Sequence, residues 1–380
     1  MSRHLVRDNK TKLYRDRMAL APPPTAPPLP VREQMRTIAD AVETKPPRLR
    51  RREVVLDDGH RVGLSMCGDG VPLVVVHGIM AEGMLYARTL RRIAGLGFRV
   101  IAVDSAGHGR TAPLGTGGFR WRSYVELHRR VLDHLGIEQA VLLGHSMGGR
   151  IVVDVAAAEV DRVLAVMPAN AAIGRGFDRF TRLGRFVPGL LPLGLGLLGA
   201  DIASTVVRTR RDAGAFARLA APSLGDRLRA LPSLPAAFVA TIGDQGSDAR
   251  LRALRQSGVP VIVAHSNRDL AIWYPFARGA AAAAGATLVT VDGAGHSWML
   301  EDPDSLPAML AELLDGPLGD AIDRRARGGI DDMLAPDALA RSLDGPRSRP
   351  YRLRPRHRWQ VEALEDGGSA ATVGGGQQGA

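Results

Sequence analysis

The residues best able to do chemistry lie around Ser146, in the sequence Gly-His-Ser-Met-Gly at 144–148. An apolar run at 141–143 precedes this motif, and a helix-compatible run at 150–159 follows it. A serine at a sharp strand-to-helix turn exposes its hydroxyl, and glycines two residues before and after allow the turn to close. A helix beginning at Met147 would direct unpaired N–H groups at the space beside the serine. The pattern therefore predicts a nucleophile elbow.

A serine nucleophile needs a general base, and the base needs an acid to orient it. His296 lies on a glycine-rich loop, 292–297, directly after the last predicted strand of the sheet. Asp269 stands five residues beyond a predicted strand at 259–264. The chain order Ser, Asp, His is that of the strand-turn-helix nucleophile motif. We therefore predict Ser146 as the nucleophile, His296 as the base and Asp269 as the acid.

Other histidines and aspartates are weaker candidates for these roles. His145 adjoins the serine, but in an elbow turn its side chain points elsewhere. Asp292 is only four residues from His296 and would have to double back to reach it. The remaining candidates are predicted to shape loops or to lie near the acid: His77, His108 and His265.

An oxyanion needs two preorganised N–H donors. One is expected from Met147, the residue after the nucleophile, and the other from the loop at 77–80, which follows the third predicted strand. The N–H of Ile79 is the best candidate in that loop, with Met80 as the neighbouring choice. No residue pattern in the chain implies a metal ion or an organic cofactor.

These residues require a parallel sheet that brings the ends of several strands together. A predicted hairpin at 53–66 opens the fold, and strands then alternate with helices as far as residue 167, which predicts a sheet covered by helices on both faces. Residues 168–257 break that rhythm and include an uncharged Leu- and Gly-rich run at 186–200. We interpret this insertion as a mobile apolar lid over the strand ends. The alternation then resumes with predicted strands at 259–264 and 287–291.

Charge is concentrated at one end of the 380-residue chain. The net charge is +11, and residues 1–52 carry 13 Lys and Arg against 5 Asp and Glu. The remainder is nearly balanced and has no basic stripe interleaved with aromatics, so we expect no nucleic-acid partner. Residues 1–52 include a proline-rich run at 21–30 and are predicted to be largely disordered, with peripheral membrane or protein contact as an alternative. Residues 316–380 are also predicted to be largely disordered.

The single cysteine, Cys67, excludes an intramolecular disulfide and a Cys-rich zinc site, and we interpret it as a small buried side chain. The first residues show no charged region followed by an apolar stretch and a small-residue cleavage site. We therefore expect a cytoplasmic location. The sequence does not indicate an oligomeric state.

Five segments together resemble the α/β-hydrolase superfamily, in its capped serine-hydrolase branch of esterases and lipases. They are 77–78, 104–111, 144–148, Asp269 and 293–297. The resemblance covers roughly residues 53–315. It implies an α/β fold with a mostly parallel eight-stranded sheet whose second strand is antiparallel. It further implies a core at 53–167 and 258–315, and a helical cap at 168–257 inserted after strand 6. Serine at the elbow argues against the epoxide hydrolases and haloalkane dehalogenases of the superfamily, which have aspartate there.

The expected activity is hydrolysis of carboxylic esters of small hydrophobic substrates through an acyl-Ser146 intermediate. Carbon–carbon bond hydrolysis, thioester or lactone cleavage and acyl transfer use the same triad and remain alternatives. Another class of function is a non-catalytic binding protein on a hydrolase scaffold, with the basic, Pro-rich start as its working part. Deletion of residues 1–48 would abolish such binding and spare hydrolysis.

Overall fold

The computed structural model describes residues 29–40, 48–187, 224–343, 353–364 and 370–372, with a few positions between 189 and 200. A ten-stranded sheet forms its centre. In chain order the strands are β1 (Arg50–Val55), β2 (Arg61–Cys67), β3 (Val71–Val76), β4 (Phe98–Val103), β5 (Ala140–His145), β6 (Val163–Ala169), β7 (Ile262–Ser266), β8 (Thr287–Val291), β9 (Trp359–Leu364) and β10 (Ala370–Thr372). Their spatial order is β1-β2-β4-β3-β5-β6-β7-β8-β9-β10.

The central strands are parallel and buried. The strands from β4 to β8 in that spatial order run parallel, whereas β2 is antiparallel to both of its neighbours and β9 is antiparallel to β8. Every residue of β3 to β7 is buried, which explains their nearly continuous apolar sequences. Alternate side chains of β3 enter opposite cores: Val74 and Val76 face one layer of helices, Leu73 and Val75 the other.

Helices cover both faces of the sheet. They are α1 (Val31–Asp40), α2 (Ala87–Ala94), α3 (Trp121–His134), α4 (Met147–Ala158), α5 (Gly174–Leu183), α6 (Leu224–Ala230), α7 (Leu234–Gly243), α8 (Ser247–Gln256), α9 (Tyr274–Ala284), α10 (Trp298–Glu301), α11 (Ser305–Leu314), α12 (Pro317–Arg325) and α13 (Leu339–Ser342). Side chains of α3, α4, α8 and α9 fill one core, and those of α1, α2, α11 and α12 fill the other.

The sheet is larger than the eight strands that the resemblance implied. The additional strands, β9 and β10, come from the C-terminal segment that we expected to be largely disordered. β9 pairs with β8 along its whole length, from Thr287 opposite Ala363 to Val291 opposite Trp359. That expectation is therefore wrong for α12, α13 and β9, because hydrogen bonding to an open sheet edge and burial in the core order these residues.

Part of the N-terminal segment also belongs to the folded body. Met35 of α1 is buried in the core, and the Arg32 guanidinium donates hydrogen bonds to Asp323 and Asp320 of α12 at 2.9 and 2.7 Å. The first strand begins at Arg50, three residues before the predicted core boundary. Residues 1–28 and 41–47, for which we predicted disorder, lie outside the described residues.

The insertion after β6 contributes α5, α6 and α7, and these three helices are called the cap below. Helix α8 falls within the predicted cap at 168–257, but Leu251 and Leu254 place it in the main core against α4. Part of the predicted apolar lid lies outside the described residues, namely 201–223 and six positions between 188 and 198.

The structure also bears on the single cysteine and on membrane-spanning helices. Cys67 is buried, and burial raises the pKa of its thiol to about 12. No helix among the described residues is long and apolar enough to cross a bilayer.

Candidate active site

Ser146 occupies a strained turn between β5 and α4. Its φ of 55° and ψ of −118° lie in a region that L-residues rarely adopt. A Cβ atom at Gly144 would collide with the backbone of Gly148, and one at Gly148 would collide with the carbonyl oxygen of Val76. Only glycine fits at either position, because the turn packs backbone directly against backbone. The observed geometry is that of the predicted elbow.

The three residues predicted to form a triad meet at the carboxyl ends of the parallel strands. Ser146 follows β5, Asp269 follows β7, and His296 lies on the loop after β8. His296 Nδ1–H donates a hydrogen bond to Asp269 Oδ2 at 2.7 Å. Ser146 and His296 line the same cavity. The imidazole is thus held by a carboxylate beside the serine.

Asp269 is held by donors on both of its oxygens. The backbone N–H groups of Ala271 and Ile272 donate to Oδ1 at 2.8 Å each, and the amide of Asn170 donates to Oδ2 at 2.7 Å. Burial opposes ionisation of this carboxyl, but His296 and the N–H of Ile272 outweigh burial and lower the pKa of Asp269 to about 2. Asp269 is therefore a carboxylate at neutral pH.

Sequence analysis did not identify Asn170 as a site residue, although its side chain links several parts of the site. Its amide N–H groups reach Asp269 and, at 2.6 Å, the hydroxyl of Ser266, while its carbonyl oxygen accepts from the Trp298 indole at 2.8 Å. Its φ of 43° is left-handed, a conformation that asparagine tolerates better than most residues. Its position directly after β6 was the one available signal, since strand ends face the site.

His145 contacts the loop that carries His296. Its Nε2–H donates to the backbone carbonyl of His296 at 3.0 Å, which leaves Nδ1 to accept from the Tyr86 hydroxyl at 2.8 Å. Burial, reinforced by the neighbouring His296, lowers the pKa of His145 to about 3. His145 is therefore a neutral hydrogen-bonding group behind the site.

The other candidates for base and acid form hydrogen bonds elsewhere. His77 accepts from the backbone N–H of Ser105 at 2.8 Å and so shapes the loop after β3. His108 contacts the carbonyl of Ala106 in its own loop at 3.0 Å, and His265 donates to the carbonyl of Ile272 at 2.8 Å. The rival acid, Asp292, accepts from the amide of Asn267 at 2.9 Å and from Gln360 of β9 at 3.3 Å.

Both predicted oxyanion donors belong to residues that line the cavity, Ile79 and Met147. Met147 is the first residue of α4, so its N–H has no partner within the helix. Gly78 lies against the serine, since a Cβ there would be 3.0 Å from the Cβ of Ser146. Met80, the alternative donor, has a φ of 65° and a half-exposed side chain.

The cavity beside Ser146 is apolar and has an empty volume of about 650 Å³, part of it open to solvent. The cap supplies three aromatic walls, Phe177, Phe180 and Phe238. Among the described residues, those that line the cavity include no Asp, Glu, Lys or Arg. The hydroxyl of Thr241 donates to the carbonyl of Ala237 within its own helix, at 2.7 Å. The site therefore favours neutral, apolar groups.

A buried arginine of the elbow helix holds the cap in place. Arg150 is fully buried and donates to the carbonyl of Ala172 at 2.7 Å and to the carboxylates of Asp178 and Asp244 at 2.9 and 2.7 Å. Asp178 lies on α5 and Asp244 follows α7. One side chain of α4 thus fixes both helices that supply the aromatic walls.

Arg51 of β1 makes a second link to the cap. Its guanidinium lies 2.6 Å from Glu82, 3.0 Å from Asp104 and 3.3 Å from Asp226 of α6. Glu82 and Asp104 are fully buried. Glu82 follows the loop at 77–80, so this arginine links that loop, the 104–111 loop and the cap. Within the described ranges, no group of three or more His, Cys, Asp or Glu side chains is arranged to hold a metal ion.

Known proteins share this sequence pattern and fold. A sequence profile described as the alpha/beta hydrolase family matches residues 73–308. The chain is 34% identical over 281 residues to a putative non-heme haloperoxidase of Mycobacterium phage D29, covering 73% of this chain and 98% of the phage protein. It is 29% identical over 273 residues to the dihydrolipoyllysine-residue acetyltransferase component of an acetoin cleaving system from Cupriavidus necator, covering 68% of each.

Solved structures with low sequence identity share the fold. The esterase RhEst1 from Rhodococcus sp. ECU1013 is similar with a TM-score of 0.55 and 23% identity, over 70% of this chain and 98% of the esterase. A bromoperoxidase from Bacillus anthracis gives a TM-score of 0.53 and 17% identity, over 70% of this chain and 100% of the bromoperoxidase. With the profile covering well over half of its residues, the chain belongs to the α/β-hydrolase family.

Proposed function

We propose that the protein is a serine hydrolase that cleaves carboxylic esters of hydrophobic substrates through an acyl-Ser146 intermediate. The observation that carries the proposal is the 2.7 Å hydrogen bond from His296 to Asp269, formed beside a serine that lies in an elbow and lines the same cavity. A base held by a buried carboxylate keeps the tautomer whose free nitrogen can accept a proton.

Acylation begins when the Ser146 hydroxyl attacks the ester carbonyl carbon and gives its proton to His296 Nε2. The N–H groups of Ile79 and Met147 stabilise the negative oxygen of the tetrahedral intermediate. The intermediate collapses, the carbon–oxygen bond to the alcohol breaks, and the alkoxide takes the proton from His296. Asp269 stays ionised throughout and stabilises the imidazolium.

Deacylation repeats the same sequence with water. His296 accepts a proton from the water molecule as its oxygen attacks the acyl carbon. The bond from that carbon to the Ser146 oxygen then breaks, and His296 returns the proton to the serine. The acid product leaves and the site regains its starting protonation.

The apolar cavity supports a neutral acyl or aryl group as the part of the substrate that binds beneath the cap. Phe177, Phe180 and Phe238 offer aromatic surface, and the lining described above offers no countercharge for a carboxylate. We expect esters with uncharged acyl chains to be turned over faster than dicarboxylic half-esters of similar length.

The test is labelling with a fluorophosphonate probe and mapping of the modified residue by mass spectrometry, together with hydrolysis of p-nitrophenyl esters of increasing chain length. Labelling at Ser146 is expected, and Ser146→Ala should lower kcat by at least about ten-thousandfold. The matched control is Ser297→Ala, because Ser297 is also 8% exposed and adjoins His296. Full activity in Ser146→Ala would refute the mechanism.

The alternatives on the same triad differ in the bond cleaved or in the acceptor. Thioesters, lactones, carbon–carbon substrates and alcohol or amine acceptors should be run beside the simple esters. If the protein is labelled at Ser146 but a thioester or lactone is preferred, the triad stands and the ester preference is wrong. An absence of labelling in folded protein would favour a binding function.

A second candidate is suggested by the 34% identity to a putative non-heme haloperoxidase. Hydrogen peroxide could attack acyl-Ser146 in place of water and give a proton to His296. The bond from the acyl carbon to the Ser146 oxygen then breaks, His296 returns the proton to the serine, and a peracid leaves. The peracid, with peroxide as the ultimate oxidant, can then oxidise bromide to hypobromous acid. Bromide oxidation that requires both an ester and Ser146 would support this route.

A further inference from the structure

The outer surface of the cap carries exposed apolar side chains next to arginines. At the end of α5 and just beyond it, Leu183 is 53% exposed, Phe186 78% and Val187 42%. Arg182 and Arg185 are interleaved with them. These five residues are called the cap patch. A cluster of exposed apolar side chains is typical of a surface that binds a protein, a membrane or a ligand.

Within the described ranges, both arginines of the cap patch contact neutral oxygen atoms. Arg182 contacts the Gln245 amide oxygen at 3.2 Å, and Arg185 donates to the carbonyl of Gly243 at 2.9 Å. In the part of the chain that the structure describes, neither forms an ion pair with a carboxylate. The one acidic residue of α5, Asp178, faces inward and pairs with Arg150.

The cap patch is directly connected to the cavity through α5. The same helix contributes Phe177 and Phe180 to the cavity wall. The Phe180 ring also lies 5.5 Å from that of Trp273, which is 42% exposed. An exposed indole packed against the helix that carries the cap patch is typical of residues located at a membrane–water interface.

We propose that the cap patch binds the surface of an anionic phospholipid bilayer, with Leu183, Phe186 and Val187 entering the headgroup region and Arg182 and Arg185 pairing with lipid phosphates. A bilayer fits better than a protein partner because a few inserted side chains plus charge suffice for it, whereas a stable protein interface needs a broad complementary face. The binding does not depend on the hydrolytic mechanism. Its effect is to hold the cavity close to apolar molecules dissolved in the membrane.

The experiment is cosedimentation of the full chain with vesicles of phosphatidylcholine alone and of equal parts phosphatidylcholine and phosphatidylglycerol. Binding to the anionic vesicles is expected, weakening as salt is raised. The double variant Leu183→Ser, Phe186→Ser should lower the partition constant by about tenfold or more. The variant Arg182→Gln, Arg185→Gln should lower it by about tenfold for anionic vesicles and leave weak binding to the neutral ones unchanged.

The control variants make the same types of substitution on surfaces away from the cap patch. Val55→Ser alters an equally exposed apolar residue on β1, at 55%. The double variant Arg324→Gln, Arg327→Gln removes the same amount of positive charge at the end of α12 and just after it. This helix ends near the start of β6, at the opposite end of the sheet from the cap. Both controls should bind as the wild type does. Circular dichroism and thermal midpoints check that each variant is folded.

The basic N-terminal segment is the rival source of binding. Its contribution is measured by neutralising Arg3, Arg7, Lys10, Lys12, Arg15 and Arg17 to glutamine in the full chain. The proposal is overturned if the wild type binds neither vesicle, if the cap-patch variants bind as the wild type does, or if only the N-terminal variant loses binding.

Discussion

At the scale of single residues, the contact between Asn170 and Asp269 places a neutral amide against the carboxylate that we propose orients His296. The amide N–H of Asn170 is 2.7 Å from Asp269 Oδ2, the same oxygen that accepts from His296. Two donors on one oxygen fix the direction of the carboxylate more tightly than either could alone. Asn170 is therefore a positioning residue for the proposed triad.

Asn170→Ala should reduce ester hydrolysis without abolishing it. A hydrogen bond to a charged acceptor is worth about 1.5–3 kcal/mol, so kcat/KM should fall by about ten- to a hundredfold. The effect should lie mainly in kcat, because the apolar cavity that binds substrate is unchanged. The free energy of unfolding should also fall by about 1–3 kcal/mol, since the Trp298 indole N–H loses its acceptor.

The matched control is Asn267→Ala. Asn267 also donates to an aspartate close to the His296 loop, Asp292, at 2.9 Å, but that aspartate was rejected as the acid. We expect kcat/KM of this variant to remain within about threefold of the wild type. An equal loss of activity in both variants would assign the effect to loop stability rather than to Asp269.

The residues of the site differ in how far sequence reasoning could find them. Ser146, His296 and Asp269 lie in short motifs at predicted strand ends, where local spacing carries the information. Asn170 lies 99 residues from Asp269 in the chain, and its role exists only once β6 and β7 are neighbours. A long-range contact between two polar side chains leaves no local pattern in a single sequence.

At the scale of elements, Arg51 of β1 compensates buried carboxylates from three separate segments. Glu82 and Asp104 are fully buried, and Asp226 of α6 is nearly so. Arg51 contacts all three carboxylates, so its removal leaves like charges close together in a medium of low dielectric. The first strand of the sheet is therefore part of what holds the cap to the core.

Arg51→Gln should lower the free energy of unfolding by about 3–5 kcal/mol, the usual cost of leaving a buried ion pair without one partner. The adjacent Arg52→Gln is the control, because Arg52 is exposed on the same strand and its change should cost under about 0.5 kcal/mol. Urea unfolding measures both. Limited proteolysis of Arg51→Gln should cut near α6 sooner than in the control. Equal stability of the two variants would contradict the assignment.

Strands could be predicted from the sequence where a continuous apolar run ends in a turn. Strand β9, which has no such run, was missed. The apolar run at 141–143 lies within β5, which is buried at every residue, and the predicted strand at 287–291 coincides with β8. Strand β9 has the sequence Trp-Gln-Val-Glu-Ala-Leu and only partly buried side chains. Its order comes from backbone hydrogen bonds to β8, which depend on the edge being present and not on its own pattern.

At the scale of the whole molecule, buried neutral histidines couple folding to pH. Burial lowers the pKa of His77, His108 and His128 to about 4 and of His145 to about 3. The unfolded values lie near 6.5. Between these limits the unfolded chain binds protons that the folded chain does not, so the stability present above pH 6.5 is lost as the pH falls.

Two buried carboxyls act in the opposite direction. Burial raises the pKa of Asp104 despite the nearby Arg51. Burial raises the pKa of Asp154 to about 6, so the folded state takes up a proton on it below that pH and gains stability relative to the unfolded chain. These two carboxyls offset only part of the effect of the four histidines. The net result is a protein that loses stability on mild acidification.

We expect the free energy of unfolding to fall by about 3 kcal/mol or more from about pH 7 to about pH 5, at about 1.4 kcal/mol per proton and pH unit. Urea unfolding at intermediate pH values measures the slope. In Asp154→Asn the fall between about pH 6 and pH 4 should be steeper, because the opposing proton is removed. A free energy that is constant or rises over this range would show that the histidines are already protonated in the folded state.

The pairing of β9 with β8 has a consequence for how the chain is made. β8 ends at residue 291 and β9 begins at residue 359, so a ribosome needs about 3 to 14 s to synthesise the intervening residues. Throughout that time the last parallel strand, which leads into the loop of His296, offers its backbone donors and acceptors to any neighbouring nascent chain. Strand β9 closes this edge and is translated after every proposed catalytic residue. A chain truncated before residue 359 would therefore hold all of those residues and still be prone to aggregate.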